Sequence, residues 1–431
     1  MVNRTLNVGK LVGYLSGCCH DESVMNPDRA LYGSHPELGL VLGNGSALIE
    51  AALEPSMALA SDATPLQVRF VPGRSVVAQL SATVKTGSDE IRTDTFVASI
   101  GLRVAPGTAI VTVGGIDIAI WRLPADPFLP GLRSVTVPEL ASRLLEQLGI
   151  DPTGITLRRR AYRPGRRAVM ELRTPRDRVF AKVVRPARVA ELQRLHTSLA
   201  GRAPIPTSLG WSETSGIALL QALDGRPLRR AIEDGQKPLP SPGSLIELLA
   251  TVEIPTNGRT RPSLLERAAN HAALVSTICP DLQPRVQTLT RSIAEMADTE
   301  TPQTIHGDFH SSQIMVSGGS ITGLVDIDTV GSGERTDDLA NLLAHLAALA
   351  SARPAIANNV TGYGVDLASA FDAVTDPRQL RLRVAAALLG YAGGPFRVQE
   401  TQWREATAKR IQVAEQWLDA AKAFPMQPDT A

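Results

Sequence analysis

Three residues between positions 304 and 340 have the types and the spacing to do chemistry: Asp308, Gln313 and Asp326. Asp308 closes a His-Gly-Asp triplet, Gln313 lies five residues after it, and Asp326 follows an apolar run. In phosphoryl transfer, one carboxylate orients a hydroxyl and accepts its proton, while a second carboxylate and an amide oxygen hold Mg²⁺ on the nucleotide phosphates. A kinase catalytic loop has the same spacing of five between its base and its amide. The pattern therefore predicts a phosphoryl-transfer site.

A β-hairpin is predicted to bring these residues together. Two apolar runs, Gln313–Val316 and Ile321–Ile327, flank a Ser-Gly-Gly-Ser turn, which is a hairpin signal. We therefore expect Asp308 and Asp326 at the same end of one small sheet. Taken singly, they could be a turn residue and a strand-end cap, but the order of the whole set favours a kinase-type site. Asp328 follows closely and is a candidate contact for the acceptor or for a second metal ion.

The same segment resembles the aminoglycoside phosphotransferase family of small-molecule kinases, which share the protein-kinase fold. The resemblance rests on the motifs HGDFHSSQ, VDID and DDLA. It implies that Asp308 is the catalytic base, that Gln313 and Asp326 bind Mg²⁺, and that Asp338 supports the loop from the start of a helix. The family usually has asparagine at the position of Gln313, and the glutamine form is similar to maltokinases and actinobacterial glucosamine kinases.

Length and composition limit the remaining function classes. A chain of 431 residues suggests two to three domains, and a net charge of +1 argues against a dedicated nucleic-acid binder. Cys18, Cys19 and Cys279 form neither a disulfide framework nor a metal-binding spacing. No apolar run reaches the ~18 residues of a membrane span, and the N-terminus lacks the pattern of a signal peptide. We expect a cytoplasmic protein that binds neither membranes nor nucleic acids.

Residues 1–133 are predicted to form a β-rich N-terminal cap domain. Short apolar runs separated by turn residues, including Leu40–Leu42 and Ala47–Leu53, predict an antiparallel meander. The proline-rich segment Leu123–Gly131 marks its boundary. Maltokinases and glucosamine kinases carry an extra domain in the same place, and the resemblance supports this one.

Residues 134–223 are predicted to form the nucleotide-binding N-lobe. Three strands are expected between positions 156 and 184, and Lys182 lies in the apolar third strand, where a lysine needs a partner or access to solvent. In the family this lysine holds the nucleotide phosphates, although an edge lysine that protects a sheet has the same pattern. Glu191, on the following helix, is the candidate acid to pair with Lys182, and a solvent-facing glutamate is the alternative.

The segment 158–188 is strongly basic, with eleven arginines and one lysine against two acids. Aromatic residues are too few here for a base-stacking RNA surface, whereas a polyphosphate donor explains part of the charge. The segment has a single glycine and no glycine-rich loop. We therefore expect either that the backbone binds the phosphates less extensively or that Arg166 and Arg167 contribute to phosphate binding.

An internal repeat links the first two predicted domains. Arg69–Arg74 resembles Ala161–Arg166 at a shift of 92 residues. Extended with a deletion, the overlay places Ala98 at the position of Lys182. The N-terminal region is then a decayed copy of the nucleotide lobe that lacks its lysine.

The inter-lobe hinge is expected at the end of an apolar run, Ile217–Leu223. Backbone groups near Gln221 and Leu223 are predicted to bind adenine. The remaining residues, 224–431, show helical spacings and are predicted to form a C-lobe with the catalytic loop and the acceptor site.

The acceptor pocket is predicted to include His310, two residues after the base, and Glu400 and Trp403 from an irregular segment near the C-terminus. Carboxylates and amides suit hydroxyl or amine groups, and an indole suits the face of a sugar ring. An ordinary loop with a tryptophan at a helix start is the alternative for the last two.

These expectations combine into one prediction. The chain should have an α+β, protein-kinase-like fold with a β-rich N-lobe, a helical C-lobe and an extra β-rich cap domain. It should use ATP and Mg²⁺ to phosphorylate a hydroxyl of a small polar acceptor, a sugar or amino sugar such as glucosamine. A maltokinase, an aminoglycoside antibiotic phosphotransferase and a non-catalytic regulatory pseudokinase are the alternatives, and a monomer or homodimer is expected.

Overall fold

The computed structural model describes residues 3–5, 28–254 and 259–424. Predictions that concern Cys18, Cys19 and the last seven residues lie outside this part of the chain. The chain divides into two compact units. The first unit comprises Met1–Val189, Gly210–Leu219 and Phe396–Thr401, and the second comprises Ala190–Leu209, Leu220–Pro395 and Gln402–Ala431. The predicted three-domain boundaries stay a prediction.

The first unit begins with a sheet to which the described residues contribute seven strands, in the order β1-β6-β7-β5-β4-β2 with β3 paired to β4. β1 runs parallel to β6, and the other pairs are antiparallel. β4 is almost continuously buried, which makes it the centre of the sheet. The strands are β1 Asn3–Thr5, β2 Ala58–Leu59, β3 Thr64–Val71, β4 Ser75–Lys85, β5 Ile91–Ile100, β6 Ala109–Val113 and β7 Ile116–Arg122.

Two of the predicted strands before this sheet are helical instead. The run Leu40–Leu42 lies in a π-helical turn, Gly39–Gly43, and the run Ala47–Leu53 lies mostly in a helix, Gly45–Ala52. The buried residues of this helix fall at positions 45, 48 and 49, which is the spacing of one helix face. The prediction was wrong because periodicity cannot distinguish a short apolar strand from a buried helical turn. The helices here are α1 Arg29–Ser34, α2 Pro36–Leu38 and α3 Gly45–Ala52.

A second sheet follows, in the order β11-β12-β10-β9-β8. Its first three strands in sequence confirm the prediction for residues 156–184. The division between the two units falls within β11 and β12. The elements are α4 Leu132–Thr136, α5 Pro138–Gln147, β8 Thr156–Arg163, β9 Arg167–Arg173, β10 Arg178–Val184, α6 Pro186–Leu199, β11 Ser208–Ser212 and β12 Ile217–Gln221.

The sequence repeat is also a structural repeat. In the β3–β4 hairpin Arg74 N donates to Val71 O over 2.9 Å, and in the β8–β9 hairpin Arg166 N donates to Arg163 O over the same 2.9 Å. Each turn has one glycine in the left-handed region, at φ +67° and +65° respectively. The two hairpins therefore close with the same turn, 92 residues apart.

The third strand of each copy corrects the overlay by one residue. Lys182 lies opposite Val169, whereas Val77, the equivalent of Val169, lies opposite Ser99. Ser99, rather than Ala98, therefore occupies the position of the lysine. The sequence overlay was wrong because it aligned two phenylalanines, whereas strand register is set by the hydrogen-bond ladder.

The second unit is mainly helical, as the helical spacings of residues 224–431 predict. The pattern is weakest in the helix Ala357–Asp372, where two asparagines and two glycines interrupt it. The elements are β13 Arg226–Pro227, α7 Leu228–Glu233, α8 Pro242–Ala250, α9 Leu264–Ile278, α10 Gln283–Met296, β14 Gln303–Ile305, β15 Ile314–Ser317, β16 Ser320–Leu324, β17 Gly331–Gly333, α11 Arg335–Ala352, α12 Ala357–Asp372, α13 Pro377–Ala392, α14 Gly394–Arg397 and α15 Trp403–Lys422.

Membrane-span criteria are not met by any single helix among the described residues. The chain segments Arg335–Ala352 and Pro354–Asp372 meet the length and composition criteria only as a pair, and they are bent by 117°.

Candidate active site

The predicted catalytic hairpin is present in the second unit. β15 and β16 are joined by Gly318 and Gly319, both in the left-handed region. β16 ends at Leu324, so the two following aspartates lie beyond the strand rather than within it. The backbone N–H of Val325 still donates to Gln313 O over 2.9 Å, which ties this exit to the start of β15.

The loop that carries Asp308 is held by a buried carboxylate. Asp338, in the first turn of α11, accepts hydrogen bonds from His306 N and Gly307 N over 2.7 and 2.8 Å. Gly307 has φ +77°, and a Cβ there would lie 2.6 Å from Thr329 O, so the turn requires glycine. Burial raises the pKa of Asp338, while the two backbone donors favour its ionised form. Asp338 thus fixes the loop, and the Asp308 side chain remains 37% exposed.

Asp326 has a strained backbone. Its φ of 61° and ψ of 49° lie in the left-handed region, which costs a non-glycine residue roughly 1–3 kcal/mol. It precedes a 3₁₀ turn, Ile327–Thr329, that contains Asp328. The Asp328 carbonyl accepts a hydrogen bond from Arg261 Nη2 over 2.9 Å. Such strain is typical of a residue whose side chain must be aimed in one direction.

His310 connects the predicted base to the predicted metal ligands. Its Nε2 lies 3.8 Å from Asp308 Oδ1 and 3.4 Å from the Gln313 side-chain nitrogen. That nitrogen lies 3.3 Å from Asp326 Oδ2. The structure therefore brings the three predicted residues into one cluster around His310.

The hydrogen bonds of His310 and Gln313 define the orientation of both side chains. His310 Nδ1 accepts a hydrogen bond from Ser312 N over 3.2 Å, so in the neutral ring the proton is on Nε2. Burial lowers the pKa of His310, which favours the neutral ring. An Nε2–H then faces the carboxylate of Asp308. The Gln313 side-chain N–H donates to Asp326 Oδ2 over 3.3 Å, which holds the amide beside that carboxylate.

This donor set fits Mg²⁺. The cation takes carboxylate and amide oxygens and usually completes its shell with phosphate oxygens and water. The described residues contain no group of three or more His, Cys, Asp or Glu that could hold a metal alone. Gln313 and Asp326 would therefore hold the ion together with a nucleotide.

A second histidine, His345, supports His310. The two rings stack with centroids 4.6 Å apart, and Ser311 Oγ lies 3.0 Å from His345 Nδ1. Tyr391 packs edge-on against His345. Desolvation, and then the charge of His310, lower the pKa of His345 well below its ordinary value. The sequence analysis did not include His345 in the site, because nothing in the local pattern around it points to position 310.

Lys182 and Glu191 belong to different units. Lys182 lies in β10 with 6% of its surface exposed, in the first unit. Glu191 is half-buried on α6, in the second unit. Their ion pair stays a prediction.

The two predicted adenine-binding residues line a cavity in the second unit. Its volume is about 420 Å³, within the range of small-molecule pockets. Gln221, the last residue of β12, donates its backbone N–H to Thr207 O over 2.9 Å. The lining residues are Thr207, Gln221, Ala222, Leu223, Asp224 and Thr322.

The two C-terminal candidates occupy different environments. Trp403 is 7% exposed at the start of α15, with the Arg404 guanidinium 4.3 Å from its ring centroid. Glu400 is exposed and falls in the first unit, whereas Trp403 falls in the second. The predicted irregular segment is partly helical, since it contains α14. Their roles in acceptor binding stay predictions.

Solved structures with a similar fold include kinases of several small molecules. A thermostable mutant of the aminoglycoside phosphotransferase APH(4)-Ia, in a ternary complex with ADP and hygromycin B, is 12% identical and covers 65% of this chain and 97% of its own, with a TM-score of 0.46. A choline kinase from Cryptosporidium parvum Iowa II is 10% identical, with coverages of 65% and 95% and a TM-score of 0.45. A choline/ethanolamine kinase family protein from Mesorhizobium loti is 13% identical, with coverages of 68% and 96% and a TM-score of 0.45.

Comparison with curated protein sequences gives no match. The sequence model of the phosphotransferase enzyme family, APH, matches residues 160–387, which is more than half of the chain. The matched range contains Lys182 and the whole cluster around His310, and the predicted α+β, protein-kinase-like fold is confirmed. The chain therefore belongs to the phosphotransferase enzyme family.

Proposed function

We propose that this phosphotransferase moves the terminal phosphoryl group of ATP to a hydroxyl of a small polar acceptor. The observation that carries the proposal is the cluster in which Asp308, Gln313 and Asp326 meet around His310. A family member that had lost catalysis would be under no constraint to keep all three. Lys182 is present as well, which argues against the pseudokinase alternative.

The chemistry assigned to Asp308 follows from its position. Its carboxylate is partly exposed on a loop fixed by Asp338, so it can accept a hydrogen bond from an incoming acceptor hydroxyl. The hydroxyl oxygen attacks the γ-phosphorus, the bond to the β–γ bridging oxygen breaks, and Asp308 takes the hydroxyl proton. When bound, Mg²⁺ would neutralise charge on the phosphate oxygens, held by Gln313 and Asp326.

The donor is assigned to residues on both sides of the predicted hinge. The cavity beside Gln221 and Leu223 has the volume for a heterocycle, which supports adenine binding there. Lys182 is proposed to hold the phosphates and Glu191 to orient Lys182.

The acceptor is proposed to be a sugar or amino sugar, such as glucosamine. Support comes from the glutamine at position 313, from the β-rich N-terminal region and from the polar C-terminal segment with Glu400 and Trp403. His310 and Asp328 are the proposed acceptor contacts near the base. A maltokinase or an aminoglycoside phosphotransferase would use the same cluster with a different acceptor.

A turnover assay tests the proposal. ADP release from ATP and Mg²⁺ is measured with glucosamine, maltose, an aminoglycoside and choline as acceptors. Asp308→Asn should lower turnover about 10²–10⁴-fold while the circular-dichroism spectrum is unchanged. Asp419→Asn, an exposed carboxylate on α15, is the matched control and should leave turnover unchanged. Full activity in Asp308→Asn, or no acceptor-dependent ADP release with any compound, contradicts the proposal.

The metal assignment has a test that does not depend on turnover. Binding of Mn²⁺ in the presence of ADP is measured by electron paramagnetic resonance. Gln313→Leu should weaken Mn²⁺ binding, since leucine has a similar size but no oxygen ligand. Gln313→Asn keeps an amide oxygen and should retain most of the Mn²⁺ binding. Equal Mn²⁺ affinity in Gln313→Leu and in the unmodified protein would remove Gln313 from the metal site.

A further inference from the structure

We infer that four arginines at the tips of the two matching hairpins form a binding site for a phosphate-type polyanion. The arginine cluster consists of Arg69, Arg74, Arg166 and Arg185. The first two belong to the β3–β4 hairpin, Arg166 belongs to the β8–β9 turn, and Arg185 directly follows β10. All four lie in the first unit. Half of the cluster thus comes from the predicted cap domain.

The two hairpins are in direct contact. Gln67, on β3, donates its side-chain N–H to Tyr162 O over 2.8 Å. The same nitrogen lies 2.9 Å from Gln79 Oε1, which fixes the amide between β4 and β8. The charges of Arg166, Arg185 and Arg74 act on Arg69, so the arginines of the two hairpins lie close together beside this contact. Arg185 also contacts the β8–β9 turn, since its Nε donates to Gly165 O over 2.7 Å.

The cluster is not neutralised within the described part of the chain. Burial lowers the pKa of Arg69, and so do Arg166, Arg185 and Arg74 in that order. The pKa of Arg166 is lowered by burial and by neighbouring arginines, again with no acid among the causes. Mutual repulsion of this kind costs free energy unless an anion binds between the guanidinium groups.

Two other arginines of the second sheet, unlike those of the cluster, pair with an acid. Arg160 and Arg178 each contact one carboxylate oxygen of Glu171 over 2.5 Å. These two arginines therefore share one buried counter-charge inside the protein. No acid takes that role at the hairpin tips among the described residues.

A buried carboxylate makes the tip rigid. Asp126 Oδ2 accepts hydrogen bonds from Tyr162 OH and Gly165 N, both over 2.8 Å, and Asp126 Oδ1 accepts one from Phe128 N over 2.8 Å. The Trp121 indole N–H donates to Tyr162 OH over 3.1 Å. Asp126 is 4% exposed, and these donors stabilise its negative charge in place of water. A rigid tip presents guanidinium groups to an anion with little ordering cost.

The chemistry of the cluster favours a short phosphate chain over a nucleic acid. Guanidinium groups bind phosphate oxygens in pairs, and four of them match a polyphosphate of similar charge. The aromatic rings at the tip are not free for base stacking, because Phe128 packs under Arg185 and Tyr162 bonds to Asp126. The anion is the polyphosphate of a nucleotide, which rests on the proposed function, or a free inorganic polyphosphate.

Calorimetric titration of the full chain with inorganic tripolyphosphate tests the site. The double variant R69Q/R74Q should weaken tripolyphosphate binding at least about tenfold, since it removes two of four charges. The control R103Q/R133Q removes two exposed arginines of the first unit outside the cluster and should leave binding unchanged. Equal binding in R69Q/R74Q and the unmodified protein overturns the inference, as does an equal loss in the control. Tighter binding of a single-stranded oligonucleotide of matched charge also overturns it.

Competition with ATP identifies the source of the phosphates. Displacement of tripolyphosphate by ATP, with a raised KM for ATP and an unchanged kcat in R69Q/R74Q, assigns the site to the donor nucleotide. Lack of displacement assigns it to a free polyanion. If turnover is absent but tripolyphosphate binding depends on the cluster, the proposed function fails and this site stands. If turnover is present and R69Q/R74Q binds tripolyphosphate normally, this site fails and the proposed function stands.

Discussion

The two hairpin repeats of the first unit share a backbone conformation but differ at single side-chain positions. Both close with the same hydrogen bond and the same left-handed glycine. In the second copy the third strand carries Lys182, and in the first copy the same ladder position carries Ser99. The two hairpins therefore share a turn and a strand register, and they differ in the residue at this ladder position.

Strand register decides which residues of the two hairpin repeats are equivalent. Successive side chains of a strand point to opposite faces, so an alignment error of one residue exchanges the two faces. Ala98 pairs with Ala78 and matches Ala181, whereas Ser99 matches Lys182. Ser99 is 1% exposed, and its hydroxyl has no hydrogen-bond partner among the described residues. The first copy thus has a small, unsatisfied polar group where the second has an ammonium.

Loss of the lysine should give the largest difference in activity between matching substitutions in the two copies. Lys182→Ala should lower kcat/KM for ATP at least about 10²-fold, because a positioned charge on the phosphates is removed. Ser99→Ala, at the matching position, should leave kcat/KM unchanged. Steady-state kinetics with the best acceptor measures both. An equal loss in the two variants would mean that they act through folding, and an active Lys182→Ala would remove the lysine from the site.

A lysine introduced at the matching position of the first copy should not create a phosphate-binding site there. Ser99→Lys places an ammonium in a buried position of the first sheet, which costs several kcal/mol if no acid pairs with it. Urea unfolding should show this loss, whereas Ser99→Ala should change the free energy of unfolding by about 1 kcal/mol or less, since the lost hydroxyl is unsatisfied. A stable Ser99→Lys protein with tighter ATP binding would contradict this prediction, because a single lysine would then give the first hairpin a phosphate-binding function.

The hairpin tips differ through one hydroxyl. Tyr162 and Phe70 occupy equivalent positions, but only Tyr162 bonds to Asp126 and Trp121. Burial and the charge of Asp126 raise the pKa of Tyr162, so it remains a donor over the working pH range. Tyr162→Phe should cost about 1–3 kcal/mol, because Asp126 keeps its burial and loses a donor.

Denaturant unfolding measures that cost. Tyr363→Phe is the control, since this hydroxyl makes a single bond to Pro240 O over 2.9 Å and should cost about 1 kcal/mol. A smaller loss for Tyr162→Phe than for the control would show that Asp126 does not depend on the tyrosine.

The sequence was sufficient to predict the part of the site that lies within one short segment of the chain. Asp308, Gln313 and Asp326 fall on one loop and one hairpin, so motif order and turn residues predicted their meeting. The family motif also predicted that Asp338 supports the loop. Two other contacts could not be predicted in this way: His345 is 35 residues from His310, and Asp126, at the hairpin tip of the first unit, is 39 residues from Gly165. These contacts follow from packing between elements, for which one sequence gives no signal.

The smallest predicted difference concerns the two turn glycines. Gly73→Ala and Gly165→Ala both put a side chain into the left-handed region, which costs about 1–2 kcal/mol. A Cβ on Gly73 meets nothing within 4 Å, whereas a Cβ on Gly165 lies 3.0 Å from a ring carbon of Phe128. Phe128 cannot move freely, because the Arg185 guanidinium stacks on its ring and its N–H bonds to Asp126. Gly165→Ala should therefore cost about 1 kcal/mol more than Gly73→Ala in urea unfolding, the lower bound for overpacking. It should also weaken tripolyphosphate binding, since the displaced ring carries Arg185. Equal unfolding free energies for the two variants would show that the second tip is no more constrained than the first.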